Sequence, residues 1–144
     1  MQTILIEKLR SFLVENAPEK LIALQQDFSV TRYLEDKVYT IMPLAERLAG
    51  EGKPPYIIEE LCLAELTRDL LPSKFLFIRN ILENEFPETY ERFREIGVLA
   101  YETINLIEAC KPVFEKYGFT EENEDDRMLR YTIIGTISEY LEQK

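Results

Sequence analysis

Apolar residues return every three or four positions along nearly the whole chain, the period of helices with one buried face. Leu5, Leu9, Phe12 and Leu13 predict a first helix over 3–16, stopped by Pro18, which restricts the residue before it. Residues 18–26 read as a connector or a short helical turn. The next seam is Val30, Leu34, Val38, Ile41, Ala45 and Leu48, which predicts a long helix over 27–49 with Asp27 as its N-cap. Pro43 falls inside it, removes one backbone hydrogen bond and crowds the Tyr39 carbonyl, so a kink is expected there. Gly50 and Gly52 end the helix.

Pro54 and Pro55 open the following helix, where a missing N–H costs nothing. Its apolar residues are Ile58, Leu61, Cys62, Leu66 and Leu70, and Leu71-Pro72 breaks it. Ser73 is placed to cap a helix with Phe75, Ile78, Ile81, Leu82 and Phe86, closed by Pro87. A single helix is expected over 88–117, with the stripe Phe93, Gly97, Ala100, Ile104, Ile107, Phe114 and Tyr117 and a bend at Pro112. In it Gly97 and Ala100 leave room for a neighbouring helix, and Gly118 ends it in left-handed geometry. The acidic stretch 119–126, with Asn123 as cap, leads into a last helix bearing Leu129, Ile133, Ile134, Ile137 and Leu141, expected to pack through Gly135. Alternating strand patterns are missing. The expected fold is all-α: one compact domain over 1–144, a bundle of five to six helices, two of them long and kinked.

Charge changes the picture more than length does. There are 17 basic and 27 acidic residues, a net charge of −10, and no histidine. Imidazole-dependent triads and imidazole-ligated metal sites are therefore excluded. The acidic surface argues against direct nucleic-acid binding, which needs clustered Lys and Arg. Two cysteines without a CxxC pair fit a reducing compartment. No apolar run approaches a membrane span, and Glu7, Lys8 and Arg10 interrupt any leader-like segment. The expectation is a cytoplasmic protein without membrane contact.

The abundant carboxylates make metal-assisted hydrolysis the first chemistry to weigh. All-helical nucleotide pyrophosphohydrolases use paired helical acids, and here Glu65/Asp69 and Glu88/Glu91 each share a helix face, with Glu60, Glu83 and Glu85 nearby. Arg68, Arg92 and Arg94 stand beside these pairs, which reads as ion pairing on a solvated face. Cys62 and Cys110 lie on or beside apolar seams and read as small buried hydrophobes. Gly50-Glu51-Gly52-Lys53 lacks the spacing of a phosphate loop, and the acids at 121–126 lack that of a calcium loop. No catalytic residue, metal or cofactor is assigned, and the chain is read as non-enzymatic.

Aromatic residues remain as candidates for contact. Tyr33, Tyr39, Phe77 and Tyr101 fall off the main seams, and tyrosine is enriched at interfaces. Phe77 points away from its helix's core stripe and is read as packing between two neighbours, the other reading being an exposed contact. The functional expectation is an interaction or accessory module that binds a protein partner or itself. The alternatives are an acidic nucleic-acid mimic, which inhibits a DNA-binding protein, and a Mg-dependent hydrolase.

Phe12-Leu13 with Ala17-Pro18-Glu19, Pro72-Ser73-Lys74-Phe75, Asn84-Glu85-Phe86, Val113-Phe114-Glu115-Lys116-Tyr117 and Ile134-Gly135-Thr136-Ile137 occur in an order that resembles domain-of-unknown-function family 1896. That all-helical family comes from Bacteroides-type bacteria and often lies near conjugative elements. The likeness covers most of the chain and is carried chiefly from about residue 60 onward. It implies a compact helical domain and a mobile-element setting. The family has no established activity, so it assigns no catalytic residues.

Overall fold

A computed structural model describes residues 1–143. It is all-helical, with nine α-helices and no strand among the described residues. The chain is built from two compact units, Met1–Leu70 and Leu71–Lys144.

The N-terminal unit holds α1 (Gln2–Asn16), α2 (Pro18–Gln26), α3 (Val30–Gly50), α4 (Pro55–Leu66) and a 3-10 turn, Arg68–Leu70. Its core is almost wholly aliphatic. Leu5, Leu9 and Leu13 of α1 meet Leu34, Val38, Ile41, Ala45 and Leu48 of α3, with Ile58, Cys62 and Leu66 of α4. The expected α3 seam is thus buried from Leu34 to Leu48, with Pro43 on its exposed side. Two expectations need correction. Residues 18–26 are a full nine-residue helix, because Pro18 occupies the first turn, where a missing N–H is no loss, and so starts a helix as well as ending one. Asp27 is not the N-cap of α3. It closes α2, and Ser29 takes the cap position without a side-chain bond.

The C-terminal unit holds α5 (Lys74–Glu85), α6 (Pro87–Glu95), α7 (Leu99–Ala109), α8 (Lys111–Tyr117) and α9 (Arg127–Glu142). Ser73 caps α5 as expected, its Oγ accepting from the Leu76 N–H at 3.0 Å. The expected single helix over 88–117 is divided in three, which raises the helix count above five to six. Gly97, at φ +80°, is the reason for the first break. The Gly97 N–H donates to the Arg94 carbonyl (3.2 Å) and the Val98 N–H to the Phe93 carbonyl (2.9 Å), a Schellman stop. Pro112 starts α8 instead of bending a longer helix. Of the two expected long helices, only the 21-residue α3 exists.

The small residues expected at helix contacts are not buried. Gly97 and Ala100 are exposed, and so is Gly135. A Cβ added at Gly97 or Gly135 would meet nothing within 4 Å. The core of this unit is instead Ile78, Ile81 and Leu82 with Leu106, Cys110, Phe114, Leu129, Ile133 and Ile137.

The α8–α9 connection also differs from expectation. The N-cap of α9 is Asp126, whose carboxylate accepts from the Leu129 N–H at 2.9 Å. Asn123 closes the preceding helix. Its Nδ2 donates to the Tyr117 (2.9 Å) and Gly118 (2.8 Å) carbonyls, and its Oδ1 accepts from the Thr120 N–H (2.7 Å). Gly118 has the expected positive φ (+74°), but its ψ of 166° is extended rather than left-handed helical.

Candidate contact surfaces

The four aromatic candidates fall into two kinds. Tyr33 packs against the N-terminal core, with Lys20 Nζ 5.2 Å from its ring centroid. Burial, and secondarily the Asp69 charge, push its phenol above the ordinary tyrosine range. Phe77 lies against Phe119 (4.9 Å between centroids) and Phe114 (6.1 Å) in a trio of tilted and edge-on rings. These two side chains hold their own units together. Tyr39 and Tyr101 are 76% and 67% exposed, on α3 and α7 respectively. Tyr33 and Tyr39 belong to the N-terminal unit and Phe77 and Tyr101 to the other.

Tyr101 has apolar company. Ile96 and Gly97 in the α6–α7 turn and Ala100 and Tyr101 in the first turn of α7 are all exposed. Periodicity places Gly97 and Ala100 in an internal helix contact and does not mark Ile96. The signal for Ile96 was the C′ glycine beside it, which marks a turn at the surface.

Other exposed apolar side chains went unremarked in the sequence. Phe28 is 97% exposed in the α2–α3 turn. On α9, Met128 and Tyr131 stand outward, and their i, i+3 spacing opposite Leu129 and Ile133 was the available signal.

Four of the seven acidic candidates, Glu65, Asp69, Glu85 and Glu91, meet a base. Glu65 bonds Arg68, and Asp69 reaches Lys37 Nζ at 3.1 Å. Glu91 meets Arg94 at 2.7 Å and Glu85 meets Arg130 at 3.4 Å. Among the described residues, no group of three or more Cys, Asp or Glu side chains is placed to hold a metal ion. Cys62 and Cys110 are free and buried. Burial raises both thiols, Cys110 to about 12, the opposite direction from the lowered values of reactive cysteines. Among the described residues, no helix is long and apolar enough to cross a membrane.

The fold and these surfaces define an acidic, all-helical protein of two compact units with exposed apolar positions on each. No family model, curated protein or solved structure matches the chain, so the family resemblance rests on its local strings alone.

Proposed function

We propose that this protein is a non-enzymatic interaction module, with the start of α7 as a contact surface. The observation that supports this most is the exposed group Ile96, Gly97, Ala100 and Tyr101. Exposed apolar side chains are unfavourable in water, and burying them against a partner recovers that free energy. Glu65, Asp69 and Glu91, which the hydrolase alternative would use, are each held by a base. A mobile-element setting is what the family resemblance adds.

The test compares the wild-type chain with Ile96→Ser/Tyr101→Ser. Sedimentation velocity over a wide concentration range reads self-association, and quantitative cross-linking in native cells reads a protein partner. The module reading expects one of these associations in the wild type and its loss in the variant. Equal behaviour of the two proteins, or turnover of a nucleotide by the purified chain, would overturn it.

A further inference from the structure

We infer that the outward face of α9 is a docking surface for a basic amphipathic helix of a partner protein. This surface is separate from the α7 group and stands without it. Met128, Tyr131, Gly135, Glu139 and Glu142 are all exposed. At 100° per residue they fall within an arc of about 80°, one straight stripe along the helix. The opposite side carries the buried Leu129, Ile133 and Ile137.

Three choices on this stripe are unfavourable for the isolated chain. Met128 and Tyr131 are 59% and 61% exposed. Gly135 weakens the helix interior relative to alanine, although an alanine Cβ would meet nothing within 4 Å. Glu139 and Glu142 sit at the C-terminal end, where the helix dipole disfavours negative charge, and the last turn of α9 has no basic residue. Lys144, two positions on, lies outside the described residues.

One occupant turns all three into gains. A partner helix can approach closely at Gly135, cover Met128 and Tyr131 with its own apolar side chains, and set Lys or Arg against Glu139 and Glu142. The acidic segment 121–126 precedes α9 in the chain, next to the Met128 end of the stripe. Arg127, at the start of α9, opposes this complementarity only at that end. A second copy of this chain fits poorly, since it would bring acids to acids on a chain of net charge −10.

The probe is a fluorescein-labelled amphipathic helical peptide of leucine and lysine, read by anisotropy at about 0.15 M salt, where long-range attraction is screened within ~8 Å. The wild-type chain is expected to bind it. Met128→Ser/Tyr131→Ser and Glu139→Lys/Glu142→Lys should each weaken binding at least ~10-fold, and Gly135→Leu likewise. Circular dichroism should show the helix content of each variant intact, since these are surface positions. Glu35→Lys/Glu46→Lys on the exposed face of α3 makes the same change in net charge and should alter binding less than about twofold.

No binding by the wild type overturns the proposal. So does equal weakening by the α3 control, which would mean diffuse charge attraction. A dimer that dissociates on Tyr131→Ser would assign the face to a second copy and also overturn it. Because Ile96 and Tyr101 are unchanged throughout, failure here leaves the α7 reading to its own test.

Discussion

The two units are held together in different ways. In the N-terminal unit, long amphipathic stripes do most of the work: α1, α3 and α4 bury leucine, isoleucine, valine, alanine and Cys62 against one another. None of its α-helices has a side-chain N-cap bond. The C-terminal unit divides a similar length of chain among five helices joined by tight junctions. It adds bonds at helix ends, Ser73 and Asp126 as caps and Asn123 across the end of α8, and three phenylalanine rings packed together. A buried stripe contributes through apolar surface removed from water, whereas a cap satisfies backbone groups that a helix end leaves unpaired. Damage to a stripe should therefore dominate in the first unit, and damage to a junction should be distinctive of the second.

The largest effect is expected at the centre of the aliphatic core. Leu9 is fully buried between α3 and α4 side chains. Leu9→Ala should cost about 3 kcal/mol through lost transfer energy and a residual cavity. Amide hydrogen exchange by mass spectrometry, read separately for the two units, should place the loss of protection in residues 1–70. An equal loss in both units would break the division between them.

Asn123→Ala tests the junction side. It removes two donated bonds to the carbonyls of Tyr117 and Gly118 and the acceptor for the Thr120 N–H. At about 1 kcal/mol net per hydrogen bond, part of it recovered by water at this half-exposed site, the expected loss is about 2 kcal/mol. Denaturant unfolding should measure it, with exchange rising first over 117–127. A loss under about 0.5 kcal/mol, the range of ordinary surface substitutions, would show that the ring trio alone holds this connection.

Alkali should act on the C-terminal unit through its buried thiol. The Cys110 thiol is raised by burial to about 12, and Cys62 is shifted the same way by the same cause. Below the unfolded-state value, near 8.5, both states are protonated and stability is flat in pH. Above it the unfolded chain ionises while the folded one keeps its proton. Stability then falls with rising pH, by at most about 1.4 kcal/mol per unit, until the folded value is reached. From pH 8.5 to 10 we expect a loss of about 1–2 kcal/mol in the C-terminal unit. Cys110→Ala should flatten that slope in pH-dependent denaturation, and an unchanged slope would place its cause elsewhere.

The same contrast explains what could be read from the sequence. The α3 seam and the Ser73 cap were legible because each is a local pattern with one physical outcome. The break at Gly97 was not, because Phe93, Gly97, Ala100 and Ile104 continue a helical period across it. Only φ +80° at Gly97 distinguishes a stop from a packing notch, and periodicity carries no backbone angle. At Gly135 a signal for helix contact was present but led to an exposed face. The contact candidates split for a related reason. Falling off a seam identifies Tyr33 and Tyr101 equally, but whether a neighbouring helix covers the residue depends on the tertiary fold.

The smallest expected effect is an exchange between two turns of the same type. After α2 the Phe28 N–H donates to the Gln25 carbonyl (3.1 Å) and the Ser29 N–H to the Leu24 carbonyl (2.9 Å), the same pair of bonds that Gly97 and Val98 make after α6. The left-handed position is filled by glycine at Gly97 and by phenylalanine at Phe28, where φ is +54°. An L side chain there costs about 1–2 kcal/mol, and Phe28 recovers little of it from packing because it is 97% exposed. Phe28→Gly relieves that strain but adds freedom to the unfolded chain, worth roughly 0.5–1 kcal/mol. The net should be a gain of about 0.5 kcal/mol, a small upward shift of the melting temperature. Gly97→Ala, in equally open space, should move in the opposite direction by about 1 kcal/mol, since it adds the strain that Phe28 already bears. If both substitutions shift stability the same way, the two turns are not equivalent. If Phe28→Gly stabilises the chain and also weakens a partner's binding, Phe28 is kept at a cost to stability for contact rather than for folding.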